Sequence, residues 1–225
     1  RGLCTQNRPR GELLRALADS TWEASGVPIS RFQSLAAAYG LLDELKSMEV
    51  CGAGELATLG QRWALPTQTE PNVLRAQLRQ VLTWSRLSMA ELRRECHASG
   101  VPLEEDGEDD DALREHMVQQ LVVSMRQRRC ETGGIPVERI GSLEVAEDLL
   151  QQVEALQAMS PESLIAQLKK LDIRASPGME RRAAIACLKD ALIWNSMPLE
   201  ELQKECGQHR AALTKATLTE GGVPA

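Results

Sequence analysis

Aromatic residues are scarce in this sequence: four Trp, one Tyr and one Phe make up 3% of its 225 residues. Runs of Val, Ile and Thr are also few, although these residues and the aromatics are the ones that favour β-strands. Leu, Ala, Glu, Gln and Arg dominate instead, and these are good helix formers. We therefore predict an all-α protein.

Long apolar runs are lacking too, and no apolar stretch approaches the roughly 18 residues that a membrane-spanning helix needs. The net charge of −6 and the isoelectric point near 5.3 provide no overall attraction to nucleic-acid phosphates or anionic lipids. We expect any association with a membrane to be peripheral and to run through partners. The sequence begins at Arg1 and not at Met, which we interpret as the mark of a processed product or a fragment.

Signatures of catalysis are also missing. The sequence has no G-x-x-x-x-G-K-S/T, G-x-G-x-x-G, G-x-S-x-G or H-E-x-x-H pattern, which excludes the common phosphate-binding, hydrolase and zinc-protease types. We predict no catalytic residue, no cofactor and no enzymatic activity. The acidic residues 104–111 lack the alternating ligands and closing Glu of an EF-hand, so loose Ca²⁺ or Mg²⁺ binding, or a basic partner, stays an alternative there.

The cysteines form no C-x-x-C pair and are widely spaced, which favours free thiols in a reducing compartment over disulfides. Cys206 and His209 could share a helical face and hold a metal ion. The position that matches His209 in the first half of the sequence is Ser99, however, so we predict no metal site. The cysteines are Cys4, Cys51, Cys96, Cys130, Cys187 and Cys206.

An internal repeat is the strongest feature that the sequence does contain. TWEASGVPISRFQSL at residues 21–35 matches RCETGGIPVERIGSL 108 positions later, and RAQLRQVLTWSRLSMAELRREC at residues 75–96 matches IACLKDALIWNSMPLEELQKEC 110 positions later. We interpret residues 12–96 and 120–206 as two copies of one long unit, with a shorter period of about 34–41 residues inside each copy. The tripeptide G-V/I-P begins at Gly26, Gly100, Gly134 and Gly222.

The repeat divides the sequence into five segments. Residues 1–11 form an N-terminal arm, the two long repeats follow as defined above, and residues 97–119 between them form an acidic-loop hairpin segment. Residues 207–225 echo the beginning of another copy, so we interpret them as a partial terminal repeat.

One segment shows why the repeat predicts helical hairpins. Ser88 and Glu91 have the S-x-x-E spacing of a capping box, so a helix should begin there. Met89, Leu92 and Cys96 then fall on one face of that helix and form an apolar stripe among charged residues.

The G-V/I-P tripeptide predicts the end of such a helix. Gly100 can adopt the left-handed conformation that closes a helix, and Pro102 prevents the helix from continuing. Because the residue before Pro favours extended geometry, we expect a short extended loop after each stop. A second helix should follow, since Leu113, Met117 and Leu121 recur every four residues.

Helix, extended loop and helix, with the pattern M/L-S/P-x-x-E-L-x-x-E-C-x-x-x-G-V-P, resembles the SAP-type motif. The tandem arrangement, with IWNSMPLEELQKEC in the second copy, looks more closely like the degenerate SAP-like repeats of dinoflagellate algal proteins, and the resemblance covers most of residues 12–206. It implies an all-α, solenoid-like array of helical hairpins. The SAP family also implies DNA binding through basic residues near the loop. Here the corresponding residues 104–111 are acidic and would repel phosphate, so the alternative nucleic-acid contacts are Arg174, Arg181 and Arg182.

We therefore expect a non-enzymatic scaffold or linker, an accessory subunit whose partners are other protein subunits of a larger assembly. Arg1, Arg8 and Arg10 precede any acidic residue and form a possible arm for an acidic partner, or else a disordered remnant of processing. The algal resemblance and the absent Met favour an organelle, a plastid or mitochondrion, with a photosynthetic or respiratory membrane complex as the assembly. A SAP-type nucleic-acid-binding protein, in the nucleus or an organelle nucleoid, is the alternative.

Overall fold

A computed structural model of the chain describes residues 9–22, 27–32, 34–67, 70–102, 110–173, 176 and 178–220. The chain divides into two compact units, unit 1 over Arg1–Met125 and unit 2 over Arg126–Ala225. In the described ranges the backbone is mostly helical, and the β contacts there are limited to an isolated bridge between Phe32 and Leu87. The prediction of an all-α protein is confirmed.

Unit 1 is built around α4, which packs against α2 and α3. The apolar side chains of unit 1 meet in one buried cluster that includes Leu41, Leu56, Leu78, Met117 and Leu121. Each fully buried side chain of this kind stabilises the fold by about 1.5–3 kcal/mol. The elements are α1 (Arg10–Trp22), a 3₁₀ turn (Ile29–Arg31), α2 (Leu35–Val50), α3 (Ala53–Arg62), α4 (Pro71–Arg86), α5 (Met89–Ala98) and α6 (Asp110–Thr132), of which the residues up to Met125 belong to this unit.

Unit 2 is built around α10, which packs against α8 and α9, while α7 packs against α8. Its apolar side chains form two buried clusters, one that includes Ile135, Leu149 and Ile193 and one that includes Leu164 and Leu188. After the last residues of α6, the elements are α7 (Val137–Ile140), α8 (Leu143–Ala158), α9 (Pro161–Lys170), α10 (Arg181–Ser196) and α11 (Leu199–Glu220).

The tripeptide at Gly100 ends α5 as predicted. Gly100 has a φ of +69°, and the Val101 N–H donates to the Cys96 carbonyl oxygen over 2.9 Å. This pattern is the Schellman motif, which satisfies carbonyl groups that the last helical turn leaves unpaired. Val101 itself is buried against the core of unit 1.

The same closure recurs at the end of α6 and after α1. Gly134 has a φ of +72°, and the Ile135 N–H donates to the Cys130 carbonyl oxygen over 2.9 Å. The Val27 N–H donates to the Trp22 carbonyl oxygen over 3.0 Å. The helix-stop prediction is therefore confirmed at Gly100 and Gly134, whereas residues 23–26 and 221–225 lie outside the described ranges.

The prediction of an extended loop directly after each stop is wrong at two of them. A 3₁₀ turn follows the first tripeptide and α7 follows the one at Gly134. These turns bury Ile29 and Phe32 at 5% and 8% exposure, and Val137 and Ile140 at 8% and 5%. Residues three positions apart share one face of a helical turn but lie on opposite faces of a strand, so the turn is what allows both to reach the core. Residues 103–109, after the second stop, lie outside the described ranges.

Helices at three pairs of matching positions in the repeat have equal lengths, whereas α5 and α11 are an exception. Both α2 and α8 have 16 residues, α3 and α9 have 10, and α4 and α10 have 16. Ala64 and Asp172 also lie at matching positions, and both have a positive φ, of 51° and 54°. The exception is that α5 has 10 residues whereas α11 has 22. The position matching Gly100 is Arg210, so α11 meets no glycine stop there.

Candidate interaction surface

In unit 1, Arg31 of the 3₁₀ turn forms ion pairs with acidic residues of α5. Ser88 caps α5 by accepting a hydrogen bond from the Glu91 N–H over 3.3 Å, and its own N–H donates to the Arg31 carbonyl oxygen over 3.3 Å. The Glu91 carboxylate is therefore not needed for the second half of the predicted capping box. It accepts from Arg31 Nε over 2.8 Å, while Arg31 Nη2 pairs with Glu95.

In unit 2, an arginine of α7 makes the matching contacts with α11. Arg139 Nε lies 3.4 Å from Glu201 Oε2, and its Nη2 pairs with Glu205. The cluster is larger here, because Lys204 Nζ lies 2.6 Å from Glu201 Oε1 and His209 Nε2 lies 3.4 Å from Glu205 Oε1. The cluster holds the beginning of α11 against the turn that follows the G-I-P stop.

These contacts lower the pKa values of three glutamates, Glu91, Glu201 and Glu205. The hydrogen bond from Arg31 holds the pKa of Glu91 below its usual value, and Arg139 does the same to the pKa of Glu205. The pKa of Glu201 is lowered first by its hydrogen bond from Lys204. Acids with lowered pKa values are poor proton shuttles near pH 7, so the geometry describes structural ion pairs and not general acids or bases.

A pocket of 360 Å³ opens beside Arg139 in unit 2. Its apolar lining comes from Ile135, Ile193, Trp194 and Met197. Trp194 is 36% exposed and meets the His209 ring edge to face at a centroid distance of 5.9 Å. The acidic side chains in the lining are Glu131, Asp190 and Glu205.

The face of α11 next to this pocket is apolar and exposed. Leu199 is 69% exposed, Cys206 is exposed, and Leu202 between them is half-buried. We use the name α11 face for Leu199, Leu202 and Cys206 of α11 together with Trp194 at the end of α10. Large apolar side chains that share one exposed patch mark interaction sites more often than scattered ones do.

The matching face of α5 in unit 1 is covered. Leu92 and Cys96 are fully buried at 0% exposure, and Trp84 is 5% exposed, while Met89 packs against the same cluster. These four residues match Leu202, Cys206, Trp194 and Leu199 in the sequence repeat. The same stripe is therefore core in one unit and surface in the other.

Residues 111–125 of α6 provide the cover in unit 1. Met117, Val118, Leu121 and Val122 belong to the cluster that buries the α5 stripe. Two hydrogen bonds fix the position of α6. Arg114 Nη1 donates to the Leu87 carbonyl oxygen over 2.6 Å, at the corner between α4 and α5, and Ser124 Oγ donates to the Ser99 carbonyl oxygen over 3.3 Å.

Unit 2 has no counterpart of this covering helix in the part of the chain that the structure describes, because α11 continues where α5 stops. The exposure of the α11 face follows from that difference. The tryptophans are scattered through the sequence, and scattered tryptophans are more often core residues, but Trp194 is 36% exposed. The sequence feature that could have predicted this exposure is the absence of a G-V-P helix stop at the position of Arg210.

A second pocket, of 590 Å³, lies in unit 1. Met48, Cys51, Trp63 and the ion pair between Arg86 and Glu44 line it. We place the candidate site on the α11 face because its apolar side chains are exposed.

The structure describes three of the arginines proposed from the sequence. Arg10 is exposed at the first position of α1, whereas Arg1, Arg8 and Arg174 lie outside the described residues. Arg182 is exposed at the start of α10. Its neighbour Arg181 is also exposed, but its guanidinium donates to the Met159 carbonyl oxygen over 3.3 Å and to that of Gln157, so it ties α10 to the end of α8.

Two of the arginines near residue 128 are engaged by acids of α8. Arg126 donates to Glu147 from Nε over 2.8 Å and from Nη2 over 2.7 Å. Arg129 Nη2 lies 3.0 Å from Glu154. Both arginines are therefore ion-paired within unit 2.

Two further properties concern ligands and membranes. Across the ranges that the structure describes, no group of three or more His, Cys, Asp or Glu side chains is arranged to hold a metal ion. Over those same ranges, every helix is too short or too polar to span a membrane.

Comparison with known proteins gives no assignment. A scan against protein-family models found no match, and searches of the curated proteins and of the solved structures found none either. The resemblance to SAP-like repeats therefore stays a prediction from the sequence.

Proposed function

We propose that the protein is a non-enzymatic helical-repeat scaffold, which serves as a linker or accessory subunit of a larger protein assembly. The α11 face carries this proposal. It exposes Trp194 and Leu199, whose counterparts Trp84 and Met89 are packed against the core of unit 1. Tryptophan and leucine side chains that combine exposure with a neighbouring pocket suit the binding of a protein partner.

In this proposal residues 12–206 form a tandem array of SAP-like helical hairpins of about 34–41 residues. The equal helix lengths and the matching Arg31 and Arg139 clusters support it. Each unit of such an array buries its apolar face on a neighbour, so a unit whose apolar face is exposed needs a partner. The α11 face is where that need falls.

The assembly that we propose is an organellar membrane complex of photosynthesis or respiration, in a plastid or mitochondrion. This step rests on the resemblance to algal repeats. The protein would join the complex through protein contacts.

The native mass of the protein in a gently solubilised extract tests the proposal. We expect it to migrate within a large complex that survives nuclease treatment, with other protein subunits co-migrating. Migration as a well-dispersed monomer without a partner would overturn the proposal. Release by nuclease or by moderate salt would support nucleic-acid binding instead, because phosphate contacts weaken as salt rises.

The second candidate function is SAP-type nucleic-acid binding. One observation favours it: Lys169 and Lys170 end α9, and Arg181 and Arg182 begin α10, and all four are exposed. Titration of the purified chain with labelled double-stranded DNA at two salt concentrations separates the two functions. Binding that weakens steeply with salt, and that is lost in the double variant Lys170→Glu/Arg182→Glu, would favour this second function.

A further inference from the structure

Helix α1 occupies the position in the first copy of the repeat that the middle of α6 occupies in the second. With the 108-residue spacing, Leu14 matches Val122 and Leu17 matches Met125. Val122 is 2% exposed, and Met125 packs against the same unit 1 core. Leu14 and Leu17 are instead 50% and 54% exposed. Two α6 side chains of the unit 1 core, Val122 and Met125, therefore have apolar counterparts on α1 that are about half exposed.

The chain thus exposes two halves of one packing arrangement. The α11 face corresponds to the α5 stripe that α6 covers, and α1 corresponds to the helix that covers it. We infer that α1 of one copy of this chain packs on the α11 face of a second copy, in the way that residues 111–125 of α6 pack on α5. This inference rests on the proposed scaffold function and names its partner as another copy of the same chain.

The charges of the two surfaces agree with this pairing. Residues 1–11 contain Arg1, Arg8 and Arg10 and no acidic residue. The α11 face is bordered by exposed Glu200 and by the pocket, whose acidic side chains outnumber its single arginine. A basic arm that precedes α1 therefore meets an apolar face with an acidic border, which speeds association and fixes the orientation of the two partners.

The pairing joins two different surfaces, so it is a heterologous contact. Such contacts build rings or open chains and not closed two-fold dimers, because each added copy still offers one unpaired surface. This property distinguishes the inferred contact from a symmetric dimer and makes a mixing experiment decisive.

The test uses the purified full chain, with one surface blocked at a time. Leu17→Glu places a charge on α1 and leaves the α11 face intact, whereas Leu199→Glu does the reverse. Both side chains are more than half exposed, so neither change removes a core contact. Val50→Glu in unit 1 and Leu171→Glu in unit 2, at side chains 85% and 41% exposed, are the matched controls outside both surfaces.

Sedimentation and light scattering should show that the unaltered chain and both controls form species larger than the 24.7 kDa monomer as concentration rises. Each blocked variant alone should associate at least about 10-fold more weakly. An equal mixture of Leu17→Glu and Leu199→Glu should form a one-to-one pair of twice the monomer mass and grow no further. In that pair the unaltered α1 of Leu199→Glu packs on the unaltered α11 face of Leu17→Glu, and no other intact surface remains.

Three results would overturn the inference. These are an unaltered chain that stays monomeric up to about 100 μM, a mixture of the two blocked variants that forms no pair, or a control that weakens association as much as the blocked variants do. Circular dichroism melting of each variant excludes loss of folding as the cause. The scaffold proposal is tested separately by the native mass in the extract, so a monomeric purified chain that still enters a large complex there would reject self-association alone.

Discussion

Lys189 Nζ donates a hydrogen bond to the Gly133 carbonyl oxygen over 2.8 Å, and this bond ties α10 to the loop that follows α6. Gly134 is the next residue and has a φ of +72°. A Cβ at that position would collide with the Lys189 amine. A Cβ at residue 134 would therefore displace the Lys189 amine, the flexible end of its side chain, from this position.

Gly134→Ala should lower the free energy of unfolding by about 2 kcal/mol. About half of this loss comes from holding an alanine in the left-handed conformation, and about half from losing the hydrogen bond of Lys189. Gly141→Ala is the matched control. Gly141 has a φ of +78°, but its added Cβ would meet no atom within 4 Å, so we expect a loss of about 1 kcal/mol. Urea unfolding measures both, and equal losses would contradict the role assigned to Lys189.

Arg139→Gln should destabilise unit 2 in a way that depends on pH. The pKa of Glu205 is lowered in the folded protein by Arg139 and then by His209. A carboxyl group whose pKa falls on folding adds stability above its unfolded pKa, and this stability disappears as the pH drops through the folded pKa. The pKa of Glu201 is lowered as well, first by Lys204 and also by Arg139.

The difference in unfolding free energy between the unaltered chain and Arg139→Gln should therefore be largest at neutral pH and should shrink as the pH falls below about 4. Arg182→Gln, at an exposed position of α10, is the control and should show little difference at either pH. Chemical unfolding followed at pH 7 and pH 3 gives the measurement. A difference that stays constant over this range would show that Arg139 acts by packing and not by charge.

Arg126→Met should lower the free energy of unfolding more than Arg139→Gln does. The reason is burial, because the side chains of the bidentate pair, Arg126 and Glu147, are only 11% and 14% exposed. Removing one partner leaves the Glu147 carboxylate half-buried without its charge partner, and we expect a loss of about 2–4 kcal/mol in urea unfolding. Arg129→Met is the matched control one turn further along α6. Its partner Glu154 is 51% exposed, so we expect a loss of at most about 1 kcal/mol. Restoration of stability by the double variant Arg126→Met/Glu147→Leu is the second check, and a double variant no better than Arg126→Met would contradict the unpaired-charge explanation.

The ends of the helices could be predicted from the sequence because their causes are local. Ser88 caps α5 through a residue three positions away, and Gly100 ends it through a bond between neighbouring residues. The engagement of Arg31 with Glu91 could not be predicted in this way, since the two residues are separated by 60 positions. Once that pair forms, Glu91 no longer completes the capping box.

The candidate site was less predictable than the helices. Leu199, Leu202 and Cys206 have the same spacing as the buried stripe of α5, so their pattern alone predicts burial. Whether a stripe is core or surface depends on a covering helix from a different part of the chain, and that helix is α6 in unit 1. The repeat pattern is the same in both copies, so it does not predict that the stripe is buried in unit 1 and exposed in unit 2.

Cys206 and Cys96 should react with a maleimide at very different rates, although they match in the repeat. Burial at 0% exposure raises the pKa of the Cys96 thiol, and burial raises that of Cys130 to about 11. Because the thiolate is the reactive form, labelling at pH 7 followed by peptide mass spectrometry should find Cys206 modified first, and Cys96 and Cys130 modified only on unfolding.

The same reaction also reports on the inferred contact between copies. An α1 helix packed on the α11 face would cover Cys206, so its labelling rate in the unaltered chain should fall as protein concentration rises. In Leu17→Glu the rate should stay constant, because that chain offers no competent α1. A Cys4→Ser background removes the thiol of the arm from the comparison. Equal labelling of Cys96 and Cys206 in the folded chain would contradict the burial described for α5, and a concentration-independent rate in the unaltered chain would contradict the packing of α1 on α11.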